Sequence, residues 1–148
     1  MKNPALLALV AAACSLASPA FAQFAKTEDA IKYRQSAMFL QSQHFGRIAA
    51  MASGRAPFDA ASAAANADVL AVIARLPWAA FGPGTEGGKA KPDIWKEQAK
   101  FKELNERLMA ETDKLAAATK AGNLDAVKAA VASVGETCKT CHDTFRSR

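Results

Sequence analysis

The sequence predicts an all-α fold, an antiparallel four-helix bundle formed by a single domain. Three observations indicate this class. The 148 residues are 51% hydrophobic but only 7% aromatic, and alanine is abundant, a composition that suits packed helices better than sheet. Apolar residues recur at intervals of three and four in four segments, and no strand-like alternation of any length separates them. The chain is also long enough to bury one hydrophobic core.

The first 22 residues have the pattern of a secretory signal peptide. A basic start at Lys2 precedes an apolar run over 4–17, and Ala20-Phe21-Ala22 matches a cleavage site. We therefore predict a cleaved signal at residues 1–22, a mature domain at 23–148 and a periplasmic location. Beyond the signal no run approaches the roughly 20 apolar residues of a membrane span, so we expect no membrane anchor.

The charge pattern argues against one large class of partner. The mature chain would carry 18 basic and 14 acidic residues, a net charge of +4. These charges are scattered, and no dense basic run is interleaved with aromatic residues. The pattern therefore argues against nucleic-acid binding.

The first two helices follow from the apolar spacing and from capping residues. The segment Thr27-Glu28-Asp29 is a plausible cap with acids in the first turn, and Gly54 ends the first helix. Asp59 caps the second helix, which stops before Pro77. The inward stripe of the first helix comprises Ile31, Arg34, Met38, Gln41, Phe45, Ile48 and Ala52, and the second helix carries Val69, Leu70, Val72 and Ile73.

A long connection interrupts this pattern before the last two helices. The segment from Arg75 to Pro92 contains two aromatic residues, and it is either a crossover pinned by them or a segment that lines a ligand. We predict a third helix from Pro92 to about Gly122 and a fourth that begins at an Asn123 cap. The third helix carries Ile94, Gln98, Phe101, Leu104, Leu108, Glu111 and Leu115, and the fourth carries Val127, Val131, Val134, Cys138, Cys141, His142 and Phe145.

The motif that carries chemistry is Cys138-Lys139-Thr140-Cys141-His142. C-x-x-C-H is the attachment signature of c-type haem, in which two thiols add across the vinyl groups of one porphyrin. On a helix the two cysteines lie nearly one turn apart and face the same macrocycle edge. His142 then provides an axial ligand for the iron. We therefore predict one covalent haem c per chain.

Three other interpretations of the motif are weaker. A thioredoxin-like redox pair needs a βαβ context, which this sequence lacks. A structural zinc site needs four ligands, and the distant His44 lies beside the inward stripe rather than on it. An incidental disulfide leaves His142 unexplained.

The first helix supplies candidates for the other side of the haem. Met38 lies on its inward stripe, and it either ligates the iron or only covers it. Arg34 and Gln41 share this stripe and need polar partners there. Haem propionates would suit Arg34, but a side chain that extends to solvent from the bundle end is an equal alternative.

At this point the chain resembles cytochrome c′, a class of c-type cytochromes. The resemblance covers essentially all of the mature chain. It rests on the C-terminal C-x-x-C-H motif through Asp143, on the first-helix segments 32–38 and 42–47, and on the Trp- and Gly-rich segment 76–88. It implies a left-handed four-helix bundle, usually a homodimer packed through the first two helices.

The resemblance also implies roles for individual residues. His142 would be the proximal ligand of a five-coordinate, high-spin haem, with Met38 over the distal face. Arg34 and Gln35 would contact the propionate edge. The other pocket residues that it implies are Trp78, Phe81 and Arg146, and Lys89 is a further candidate partner of a propionate.

Two functions remain open on this basis. The family implies a gas-binding protein that takes up NO and CO, releases His142 when NO binds, serves nitric oxide scavenging or trafficking, and can transfer one electron. Relatives that use a first-helix methionine as sixth ligand imply a low-spin His/Met electron carrier, with a periplasmic redox partner. A haem-free interaction bundle would be colourless. No acid–base pair emerges from the pattern, so we expect no enzyme activity.

Overall fold

The computed structural model describes residues 23–148, so the predicted signal peptide lies outside the described residues. This part of the chain is all-α, with four long helices that form the bundle. The helices are α1 (Thr27–Ala52), α2 (Ala60–Ile73), α3 (Asp93–Lys96), α4 (Gln98–Lys120) and α5 (Leu124–Phe145), with a 3₁₀ helix at Pro77–Phe81 between α2 and α3.

Local capping explains where α2 and α5 begin. The Asp59 carboxylate accepts a hydrogen bond from the Ser62 amide, and the Asn123 side chain accepts from the amides of Asp125 and Ala126. Each cap satisfies N–H groups that have no partner inside the helix. Both predicted caps are confirmed.

The predicted cap of α1 is wrong. Lys26 occupies the cap position and makes no side-chain cap bond. The Thr27 hydroxyl instead donates to the carbonyl oxygen of Gly84, 2.8 Å away. A side chain that local sequence rules assign to a helix end is therefore used for a long-range contact with the connection between α2 and α3.

The third predicted helix is two helices in the structure. The short α3 follows Pro92, and the chain leaves helical geometry at Glu97, with φ −108° and ψ 47°, before α4 begins. The periodic pattern continues across this break, because Ile94 and Phe101 both face the interior. The pattern alone therefore did not reveal it.

The core lies between the four long helices. Helix α4 packs against both α2 and α5, and α1 packs against α2 and α5. The fully or nearly fully buried residues at the centre include Ile48, Leu70, Leu108, Leu115, Val127 and Val134. A second cluster, at the end of the bundle that carries the C-x-x-C-H motif, contains Ile94, Phe101, Leu104 and Phe145.

Within residues 23–148, one segment has the length and apolar composition of a membrane span, which we did not expect from the sequence. Ala60–Phe81 spans 22 residues with a mean hydropathy of 1.2. The core helix of a bundle meets the same criteria, and here Ala63, Ala67, Leu70 and Ile73 are buried against other helices. The segment is therefore weak evidence for a membrane span.

Candidate functional site

Helix α5 brings the motif to the interior face of the bundle. Val127 and Val134 anchor this face, at 0% and 1% exposure. Cys138 and Cys141 continue it and are partly buried free thiols. The thiols are therefore not consumed by a disulfide and stand on one face of one helix.

Burial also sets the protonation of these groups. It raises the pKa of both thiols, and that of Cys141 reaches about 11 with a further contribution from the charge of Cys138. It lowers the pKa of His142, and the positive charge of Arg146 lowers it further. The imidazole is thus favoured in its neutral form, the form that binds metal.

Two adjoining cavities lie beside this face. The larger has a volume of about 450 Å³ and the smaller about 210 Å³, and both are lined by Met38, Ser42, Cys141 and His142. Met38 and His142 therefore face the same space from α1 and α5. The larger cavity is also lined by Arg34, Gln35, Phe39, Phe81, Lys89, Ala90, Ile94, Phe101, Phe145 and Arg146.

The smaller cavity is mostly apolar and contains Cys138 and Trp78 in its wall. The indole N–H of Trp78 is buried and, within residues 23–148, has no hydrogen-bond acceptor. A buried donor without an acceptor is rare in proteins. The cavity wall thus includes a polar group that requires a partner from a ligand or a water molecule.

Every site residue predicted from the sequence lies on one of these cavities. The larger one gathers the residues predicted for the propionate edge and for the proximal side, and the smaller one adds Trp78 and Cys138. Their individual roles toward haem stay predictions.

Arg34 has a structural task that the sequence did not indicate. Its guanidinium group donates to the carbonyl oxygens of Ala80, Thr85 and Gly87 at 2.7, 2.7 and 2.8 Å. The side chain is 4% exposed, and burial lowers its pKa. Arg34 therefore acts as a clamp, because it holds the 3₁₀ helix and the segment that follows it against α1 by hydrogen bonds. Its side chain also lines the larger cavity.

The comparisons with known proteins identify the family. A sequence model of the family described as Cytochrome C′ matches residues 29–146. The chain belongs to the cytochrome c′ family.

Similar proteins agree over most of the chain. Cytochrome c′ from Alcaligenes xylosoxydans xylosoxydans is 52% identical over 126 residues, which cover 85% of this chain and 99% of the relative. Cytochrome c′ from Rubrivivax gelatinosus is 50% identical, over 85% of this chain and 100% of the relative. A more distant relative, cytochrome c-556 from Agrobacterium tumefaciens, is 32% identical over 78% of this chain and 95% of the relative.

Solved structures support the bundle. A nitric oxide complex of a point mutant of cytochrome c′ from Alcaligenes xylosoxidans has a TM-score of 0.82 and 52% identity, and covers 85% of this chain and 99% of that one. The crystal structure of the Rubrivivax gelatinosus protein also has a TM-score of 0.82, at 50% identity, over 84% of this chain and 100% of that one. The predicted fold class and resemblance are confirmed.

Haem c is the cofactor of cytochromes c′, and the residues present here fit it. Two free thiols and an imidazole stand together, aromatic and aliphatic side chains line the space beside them, and a buried indole N–H needs an acceptor. Within residues 23–148 no group of three or more His, Cys, Asp or Glu side chains comes together as a metal site.

Several lining residues were not assigned to the site from the sequence. Phe101, Leu104 and Leu108 were recognised only as the apolar face of a helix, yet they line the cavities. Gly135 lies in the wall of the smaller cavity. A core residue and a pocket residue give the same periodic signal, so no signal in the sequence separates them.

Proposed function

We propose that this cytochrome c′ is a periplasmic haem protein that binds nitric oxide and carbon monoxide at five-coordinate iron. The proposed role is nitric oxide scavenging or trafficking, with a capacity for one-electron transfer and no enzymatic turnover. The observation that carries the proposal is that Met38 and His142 line the same two cavities. The nitric oxide complex of a similar cytochrome c′ supports the choice of ligand.

The chain's own residues would hold the cofactor at three points. Cys138 and Cys141 would form the thioether links, and the neutral imidazole of His142 would be the axial ligand. When bound, haem c supplies an iron atom that takes up small diatomic gases and changes its oxidation state by one electron.

Met38 supports discrimination among gases. Its thioether is a weak hydrogen-bond acceptor and not a donor, so it has no hydrogen bond to offer bound dioxygen. Its partly buried side chain lines both cavities and would restrict larger ligands. Nitric oxide is a small ligand that needs no such hydrogen bond, which supports its selection.

The second candidate is a low-spin electron carrier with Met38 as the sixth ligand. Methionine is a common axial ligand in cytochromes c, and Met38 lies in both cavities that His142 lines. In that case Met38 would take the coordination position that a gas needs, so the iron would not bind NO or CO. The scattered lysines would serve docking to a redox partner.

The proposed assembly is a homodimer packed through α1 and α2. Large apolar side chains are exposed on these helices, with Phe39 at 61% and Val72 at 63% exposure. Leu40 and Val69 add to this surface, at 44% and 41%. Apolar groups in such number on two neighbouring helices are typical of a protein interface.

The deciding experiment is the absorption spectrum of the reduced holoprotein before and after addition of CO. A broad high-spin spectrum that shifts with CO supports five-coordinate iron and gas binding. Sharp, split α and β bands that do not respond to CO would contradict the proposal and favour the electron carrier.

A further inference from the structure

The last turn of α5 depends on partners from elsewhere in the chain. This turn contains His142 and ends at Phe145. The last four carbonyl groups of an α-helix have no partner within the helix. Here these carbonyls belong to residues 142–145, so their partners decide how firmly the turn that carries the iron ligand is held.

Lys91 supplies hydrogen bonds to three of these four carbonyls. Its Nζ donates to the carbonyl oxygens of Asp143 and Thr144 at 3.2 and 3.1 Å, and its backbone amide donates to that of Phe145 at 2.9 Å. The remaining carbonyl, that of His142, accepts from the Arg146 amide at 3.0 Å. The positive charge of Lys91 also interacts favourably with the negative end of the helix dipole.

Backbone contacts beside Lys91 further join residues 89–91 to residues 145–147 at the end of α5. The Ser147 amide donates to the carbonyl oxygen of Lys89 at 2.9 Å, and Ala90 pairs with Arg146 in an antiparallel bridge. Lys89, Ala90 and Arg146 line the larger cavity, whereas Lys91 does not. The side chain of Lys91 therefore acts on the cavity indirectly, and its hydrogen bonds lead to the last turn of α5.

We propose that Lys91 is a positioning residue for the proximal side, because it caps α5 from another segment and so controls how readily His142 leaves the iron. This inference rests on the proposed function for its consequence, since release of His142 matters only if nitric oxide binds. The cap itself does not depend on that function.

The test compares three variants of the holoprotein. Lys91→Met removes the charged end that reaches two carbonyls and keeps the backbone contact. Lys91→Arg retains a cation with several donors. Lys96→Met is the matched control, because it removes one positive charge from an exposed lysine of α3 that makes no side-chain hydrogen bond within residues 23–148.

Two measurements are made on each variant. Hydrogen–deuterium exchange of the C-terminal peptide that follows His142 reports whether the turn is held. Stopped-flow absorption after addition of nitric oxide to the reduced protein reports the rate at which the histidine is released. We expect both rates to rise about fivefold in Lys91→Met, from the loss of roughly one net hydrogen bond. Lys91→Arg and Lys96→Met should stay near the wild-type rates.

The outcomes separate the cap from its consequence. Unchanged exchange in Lys91→Met would overturn the cap. Faster exchange with an unchanged release rate would overturn the positioning role. A wild-type protein that does not react with nitric oxide would refute the proposed function instead, and the exchange measurement would still decide whether Lys91 holds the turn.

Discussion

The guanidinium carbon of Arg34 lies 4.7 Å from the centroid of the Phe81 ring. This contact joins the inward face of α1 to the 3₁₀ helix that borders the larger cavity. The ring provides a negative face for the cation, while three carbonyl oxygens of the same connection accept its hydrogen bonds. Phe81 in turn packs against Phe101 of α4, with the ring centroids 4.9 Å apart. Arg34 of α1 is thus linked through Phe81 of the 3₁₀ helix to Phe101 of α4, and both Phe81 and Phe101 line the larger cavity.

Replacement of Arg34 should therefore destabilise the protein. In Arg34→Met the carbonyls of Ala80 and Thr85 lose a buried donor, and each unsatisfied group costs about 1–3 kcal/mol. We expect the free energy of unfolding of the holoprotein to fall by about 3 kcal/mol, measured by denaturant titration. Arg47→Met, which removes an exposed arginine from the same helix, is the control and should lose less than about 1 kcal/mol. Equal losses in the two variants would contradict the clamp.

Replacement of Met38 tests how the distal face is covered. Met38→Ala should open the cavity and raise CO affinity about tenfold, equivalent to about 1.4 kcal/mol of binding free energy. The measurement is CO titration of the reduced holoprotein. Met109→Ala on α4 is the matched control, because Met109 is also partly buried but lines neither cavity. Unaltered CO affinity in Met38→Ala would exclude steric cover by this side chain.

Two glycines should respond to alanine in opposite directions. Gly87 has φ +122°, and a Cβ there would lie 3.1 Å from the Ile31 side chain. Gly87→Ala should lower the free energy of unfolding by about 1–3 kcal/mol, from backbone strain. Gly46 lies within α1, and a Cβ there meets nothing within 4 Å. Gly46→Ala should raise stability by about 0.5–1 kcal/mol. Thermal unfolding of the two variant holoproteins measures both changes in stability. A Gly46→Ala variant less stable than the wild type would contradict the open space around Gly46.

The proposed dimer can be tested at Val72, which is 63% exposed on α2. Burial of a valine stabilises an interface by about 1.5–3 kcal/mol, and a buried unpaired lysine opposes it. Val72→Lys should therefore raise the dimer dissociation constant at least about tenfold. Sedimentation equilibrium provides the measurement. Ala110→Lys on the exposed face of α4 is the control and should leave the dissociation constant unchanged. A monomeric wild-type protein would refute the homodimer itself.

Local sequence was sufficient where neighbouring residues decide the conformation. The caps at Asp59 and Asn123 lie beside the amides that they bind, so the helix starts were predicted correctly. The spacing of the C-x-x-C-H motif similarly placed its thiols and imidazole on one helix. The periodicity of α1 also brought Arg34 and Met38 onto its inward face, since the helical repeat alone determines which residues share a face.

The tertiary structure decided the contacts between distant segments. Thr27 binds Gly84 across 57 positions of sequence instead of capping its own helix, and Arg34 binds carbonyls 46 to 53 positions away. The carbonyls that Lys91 caps lie 52 to 54 positions further along the chain. Backbone carbonyls are present at every residue, so no residue type marks the ones that will accept a distant side chain. Which of them do so depends on which segments meet when the helices pack. Periodicity shows which face of a helix is buried, but not which backbone carbonyls of another segment lie opposite that face.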